Sequence, residues 1–371
     1  MAFRAVTMIL AGLCAMTAPH LLPAADPPAA RPGPPPPPLL PPPGGPTVAA
    51  AVSADGRWVL TGDYAGGVRL WSTARAEPVW TTYPVDEPLD PGKLHTLAVG
   101  FAADGKRALW AWGGGVAEID RDKGKVLRVT KFPKGLGLGW RARGGLLFLP
   151  GSDECVYHDP DERLVRFDFA TGKRHPKFDL RLAGVGTLFV ELSPDGKRVL
   201  AHNGRYVSEW DLETGELCRL FGSLPVETIA ATYYPNGDRV CVRGSTLRAL
   251  DRKTGEKTEV PEALAKYSGR LWFSPDGGYA VGLRGDSKED RVEVIRVEGG
   301  KVARSFSSEG VWYRQRNLWR DPKDTTWSPE PGQLAFTADG KSVLLTGGEA
   351  KTAMGIWDLA TGKRTHTFRE E

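Results

Sequence analysis

Six histidines, at positions 20, 95, 158, 175, 202 and 366, are the side chains of this 371-residue sequence best suited to holding a metal or moving a proton. No two have the spacing of a local metal pair, which excludes an HExxH helix and an HxH strand site. The densest run of ligand atoms is His158-Asp159-Pro160-Asp161-Glu162. Such oxygen-rich side chains can hold a hard divalent cation, and the same composition is common in exposed acidic loops. GLGLGWRARGG (135–145) has the glycine rhythm of a phosphate cradle but leads into a strand, so it lacks the helix N-terminus that fixes the anion. No G-x-S-x-G, P-loop or dinucleotide fingerprint occurs. The reading is of no catalytic residue, no cofactor and no metal site.

Recognition chemistry has a better candidate. SSEGVWYRQRNLWRDPKDTTWSPEPGQ (307–333) interleaves Trp312, Tyr313, Trp319 and Trp327 with Arg314, Arg316 and Arg320. A connection this long is usually functional or disordered, and its tryptophans argue against disorder. Trp, Tyr and Arg are also the residues concentrated at binding hot spots. These seven residues are the candidate contact for a protein or peptide partner; the competing structural role is a loop that caps the fold and buries its own aromatics.

The elements that must position this segment are repeats. From Thr47 onward an apolar run ends in a turn as AAAVSADG (49–56), AVGFAADG (98–105), GLGWRARGG (137–145), LFVELSPDG (188–196), AATYYPNG (230–237), RLWFSPDG (270–277) and QLAFTADG (333–340). A second apolar run follows each turn, and a third closes as VRLWS (68–72), AEID (117–120), VRFDF (165–169), SEWD (208–211), RALD (248–251), VEVIR (292–296) or GIWD (355–358). Turns such as ATGKR and ETGEL then lead to a fourth run. The period is about 46 residues, the range of propeller blades. Short runs rich in Val, Leu, Phe, Tyr and Trp, separated by Asp-Gly and Asn-Gly, are strands joined by tight hairpins. A four-stranded sheet has two faces to bury, and stacking such sheets radially buries both. The expected fold is all-β: a seven-bladed β-propeller of four-stranded antiparallel blades. The Asp residues of the first turns (Asp55, Asp104, Asp195, Asp276 and Asp339) are expected as turn formers.

On these residues the chain resembles the WD40-repeat family. The likeness lies in the SPDG-type turns, in Trp71-Ser72, Trp210-Asp211 and Trp357-Asp358 at the ends of third strands, and in LTGDYAGGVRLW (60–71). It covers nearly everything after residue 47 and implies a scaffold that binds protein. There are departures: no Gly-His dipeptide precedes a first strand, and Ala65 stands where the family has a hairpin aspartate, so the family's buried Asp-His-Ser-Trp network is expected to be missing. D-x-x-T-G turns at Asp168, Asp211, Asp251 and Asp358 also resemble quinoprotein-like propellers, with Phe178, Phe221 and Phe368 near the place of that family's tryptophan. Each blade is expected to come from one continuous segment, without a blade shared by the two ends.

The first 25 residues have the layout of a signal peptide: Arg4, an apolar run from Ala5 to Met16, small residues and a break at Pro19. The run is too short to span a bilayer, so the mature chain has no expected transmembrane segment. Cleavage is expected after Ala25, with Ala18 as the alternative, and the destination is periplasmic or extracellular. Twelve of the twenty residues in 27–46 are proline, which makes 26–46 an extended spacer, up to roughly 60 Å long at about 3 Å per residue. The propeller occupies 47–371. With Cys14 in the leader, Cys155, Cys218 and Cys241 form no disulfide framework, and Cys218 and Cys241 are expected as separately buried thiols. A net charge of +4 without a basic cluster excludes nucleic acid as a partner class.

The functional expectation is therefore an exported, non-catalytic interaction scaffold. The alternatives are a propeller enzyme, either a metal-dependent hydrolase or lactonase or a quinone-dependent dehydrogenase, and a quinoprotein-like envelope assembly factor. The enzyme would require His, Asp or Glu from several blades to converge at one channel mouth.

Overall fold

A computed structural model of the chain describes residues 5–8, 13–16, 47–63, 65–75, 77–85, 96–133, 146–161, 163–181, 189–202, 206–222, 230–243, 247–261, 264, 271–285, 290–307, 312–316, 327–331, 333–337, 339–346 and 354–368. Apart from a 3-10 turn at Glu298–Gly300 and an isolated helical residue at Leu264, every described element is a strand. Seven antiparallel four-stranded sheets follow one another along the sequence, so the all-β propeller expected from the repeats is the fold.

From the axis outward, blade one is Thr47–Val52, Trp58–Asp63, Val68–Ser72 and Glu77–Thr82, and blade two is Ala98–Phe101, Arg107–Trp112, Gly115–Asp120 and Val126–Lys131. Blade three is Leu146–Phe148, Glu154–His158, Arg163–Asp168 and Lys173–Arg181; blade four is Phe189–Leu192, Arg198–His202, Val207–Asp211 and Leu217–Phe221. Blade five is Ala230–Tyr233, Arg239–Arg243, Leu247–Asp251 and the short Lys257–Thr258. Blade six is Leu271–Phe273, Tyr279–Gly285, Asp290–Arg296 and Val302–Ser307, and blade seven is Gln333–Phe336, Ser342–Thr346, Met354–Asp358 and Arg364–Phe368. First strands of neighbouring blades touch from blade seven against blade one round to blade five.

Blade three corrects the strand assignment made from the repeat pattern. The run LLF (146–148) is its first strand rather than its second, and the turn after it runs through Gly151, at φ 73°. GLGWRARGG therefore precedes the blade and lies outside the described residues. The acidic run at 158–162 is correspondingly the hairpin between the second and third strands, not an insertion.

The core lies between blades, as thin two-faced sheets require. One apolar cluster fills each seam from blades one and two round to blades five and six, and a larger cluster spans blades six, seven and one. Phe178, Phe221 and Phe368 on the outer strands are all buried within these seams or at their edge. A bulge recurs where the third strand meets the fourth in blades one, two, three, four, six and seven, adding twist at the same radius each time.

Each blade is one continuous segment, as expected, and packing closes the ring. Ala50, Val52 and Trp71 of blade one share a cluster with Leu334, Phe336, Trp357 and Phe368 of blade seven. Two further strands, Ala5–Met8 and Leu13–Met16, pair with each other, and the second runs parallel to the first strand of blade one (Leu13↔Ala50, Cys14↔Ala51, Ala15↔Val52). They lie inside the ring against the first strands of blades two, three, four and seven.

Candidate functional site

Antiparallel order gives the ring two unlike faces. In every blade the turn from first to second strand and the turn from third to fourth emerge on one face. The hairpin from second to third strand and the connection to the next blade emerge on the other. The first face is built of tight turns. Gly56, Gly105, Gly196, Gly237, Gly277 and Gly340 all have positive φ there. Asp55, Asp104, Asp195, Asp276 and Asp339 accept the N–H two residues on, at 2.8–3.1 Å. These aspartates are turn formers, as the sequence implied.

The third-to-fourth-strand turns work the same way. Asp211 and Asp251 accept N–H groups of Thr214 and Thr254, and this holds both carboxyls below their usual value. Asp358 sits low mainly through the Thr361 hydroxyl. Gly215 shows why glycine is needed here: at φ 74° a Cβ would stand 1.8 Å from the Lys177 carbonyl of blade three.

Between the faces, blades two to five are stitched by charge. Glu118 in blade two is bound by Arg107 and Arg128, each at 2.5 Å, and Arg107 reaches on to Asp153 of blade three at 2.9 Å. Blade three reverses the signs: Arg166 on the third strand pairs with Glu154 on the second at 2.5 Å and donates to the Leu212 carbonyl of blade four at 2.6 Å. Blade four restores them, with Glu209 held by Arg198 at 3.2 Å, by the Tyr233 hydroxyl of blade five at 3.0 Å, and near Arg252 at 3.8 Å. Burial, with the Glu209 carboxylate next to it, pushes the Tyr233 phenol well above its usual value. The sequence carried a signal for this network, unused above: KR before second strands and AEID or SEWD at the third, exchanged for DE and VRFD in blade three.

Two of the third-strand tryptophans find hydroxyl partners within their own blades, and no member of the family's Asp-His pair joins them among the described residues. Trp71 Nε1 donates to the Thr61 hydroxyl at 3.0 Å, and Trp210 Nε1 to Ser208 at 2.8 Å. A hydroxyl on the same blade needs no histidine or aspartate to satisfy a buried indole. In blade one Asp63 does the hairpin's work: its carboxylate accepts the Gly67 N–H at 2.8 Å. Burial pushes Asp63 up to about 6, against the opposing pull of that N–H and of Arg69.

The acidic run around Asp159 is committed to its own hairpin. Asp159 is fully buried; it pairs with Arg174 at 3.1 Å and accepts the N–H groups of Asp161 and Arg163, so its oxygens serve the hairpin. Glu162 lies outside the described residues. Among the described residues no three His, Cys, Asp or Glu side chains gather as a metal set, and no helix is long and apolar enough to cross a membrane. Cys155 and Cys241 are buried free thiols. Cys218 is only half-buried, because it sits on the outer strand of its blade, which corrects the expectation of a buried thiol.

The aromatic and arginine segment is on the other face, between the outer strand of blade six and the first strand of blade seven. Read from sequence as a loop, it contains a two-stranded antiparallel sheet, Trp312–Arg316 with Trp327–Pro331. Trp312 pairs with Pro331, Tyr313 with Glu330, Arg314 with Pro329 and Arg316 with Trp327. Five of the seven candidate contact residues thus lie on this hairpin, while Trp319 and Arg320 fall outside the described residues.

Comparison with known proteins agrees with this architecture. No family model matches the chain. An "Uncharacterized WD repeat-containing protein" of Deinococcus radiodurans is 28% identical to it, over 47% of this chain and 72% of its own length.

Proposed function

The chain being a seven-bladed propeller of WD40 type, we propose that it is an exported, non-catalytic scaffold that binds a protein or peptide on the face opposite its tight turns. The observation that carries this reading is the hairpin Trp312–Arg316/Trp327–Pro331, which belongs to none of the seven blades. It concentrates Trp, Tyr and Arg, the residues that dominate protein contacts, on one two-stranded sheet between blades six and seven in the sequence. The non-catalytic part is supported by the carboxylates described above, which are committed to turns and ion pairs. Export is supported by Arg4 and the apolar run that follows it, and cleavage after that run would remove the two inner strands Ala5–Met8 and Leu13–Met16 while leaving all seven blades.

Crosslinking and pull-down with the purified chain, beside a variant lacking residues 307–332, tests the contact. Partners captured by the wild type are lost from the deletion while its circular dichroism is retained; unchanged capture would falsify the assignment. N-terminal sequencing of the protein from its producing cells tests export. The mature chain is expected to begin at Asp26 or Pro19, and an intact Met1 start in the cytosolic fraction overturns it.

A further inference from the structure

Blade six breaks the tight-turn pattern its neighbours keep. The residue closing the third strand is aspartate in five blades (Asp120, Asp168, Asp211, Asp251 and Asp358), and each accepts N–H groups of its own turn. Arg296 holds that register in blade six, opposite Tyr279 as Asp120 is opposite Arg107. A guanidinium therefore stands where a carboxylate recurs, and the turn beyond it is the 3-10 segment Glu298–Gly300.

Beside it, between blades six and seven, is a groove of about 150 Å³ lined by Tyr279, Arg296, Ala303, Arg304, Leu359 and Ala360. Arg304 is anchored, its Nε donating to the Ala360 carbonyl at 3.0 Å and its Nη1 to the Ala303 carbonyl at 2.9 Å. Arg296 is exposed, and among the described residues its guanidinium makes no hydrogen bond and no ion pair, Glu298 included. The groove is open to solvent and roomy enough for one carboxylate side chain.

The geometry points to a docking groove for an acidic side chain, glutamate or aspartate, of an extended peptide. Arg296 supplies a fork that matches a carboxylate, Arg304 adds positive charge, and the half-buried Tyr279 ring with Ala303 offers apolar contact to the neighbouring peptide residue. This groove is on the face opposite the hairpin, so its occupancy does not depend on the hairpin's partner.

Fluorescence anisotropy with a labelled peptide alternating leucine and glutamate tests it, beside the same peptide with glutamine in place of glutamate. The glutamate peptide is expected to saturate the protein, and the glutamine peptide and the Arg296→Glu variant each to weaken binding about threefold to fivefold, the upper end for one exposed charge pair. Arg75→Glu, an exposed arginine on the same face in blade one, leaves binding unchanged, as does deletion of 307–332. Thermal melts of Arg296→Glu matching the wild type show that the fold is intact. Equal affinity for both peptides, no response to Arg296→Glu, or inorganic phosphate competing at the peptide's own concentration overturns the proposal.

Discussion

Trp71 of blade one stands edge-on to Phe368 of blade seven, ring centroids 5.9 Å apart and planes at 77°. The two rings come from opposite ends of the propeller's sequence, and both are buried, Trp71 at 3% and Phe368 at 1% exposure. Among the described residues no blade is shared between the two ends of the propeller, so the stability of this seam rests on packing. Phe368→Ala is expected to cost about 3–5 kcal/mol, the range for deleting a buried phenylalanine. Urea denaturation measures it; a loss under about 1 kcal/mol would show that the seam is held by something else.

Glu209 joins three strands of two blades through Arg198, Arg252 and Tyr233, at 1% side-chain exposure. Glu209→Gln leaves two guanidinium groups without their anion. Breaking a buried pair costs about 3–5 kcal/mol, and the 34% exposure of Arg198 lowers the expectation to about 2–3 kcal/mol. The double variant Arg198→Met/Glu209→Leu leaves only Arg252 without its anion and should lose less than Arg198→Met and Glu209→Leu summed. A double variant as costly as the two single losses summed would refute the coupling.

Two buried groups titrate against each other. Burial raises Asp63 from 3.8 to about 6, so over that interval the folded chain keeps a proton the unfolded chain has released, and stability falls as pH rises. Burial lowers His202 from 6.5 to about 4, so the unfolded chain takes up a proton the folded chain refuses, and stability falls as pH drops. The opposed slopes, each at most about 1.4 kcal/mol per pH unit, overlap between roughly pH 4 and 6 and largely cancel in the wild type. Asp63→Asn should therefore gain stability on going from about pH 4.5 to 6, and His202→Gln should lose it. Urea midpoints at the two pH values report this directly, and parallel profiles for both variants would exclude the assignment.

Much of the architecture was legible because each blade states its own turns. Ser193, Asp195 and Gly196 spell a turn whose hydroxyl, carboxylate and positive φ all act within five residues, so local reading suffices. Blade three failed because its turn orders glycine before aspartate, at Gly151 and Asp153, and the pattern slipped to the preceding glycines. The ion-pair network escaped because Arg107, Glu118 and Asp153 meet only once two blades are stacked. The hairpin at 312–331 was hidden by Pro329 and Pro331, which forbid a central strand but are tolerated in an isolated two-stranded sheet with open edges.

The absence of a shared blade has a mechanical consequence. A ring latched by an exchanged strand must shear a whole ladder of hydrogen bonds before it opens, whereas among the described residues blades one and seven meet through packing, and the inner strand Leu13–Met16 is hydrogen-bonded to blade one without pairing with blade seven. Tension on the two ends of the propeller would part blade seven from blade one first, then unroll the circle in steps of one blade, each roughly 46 residues of slack. Such a molecule yields in instalments under load.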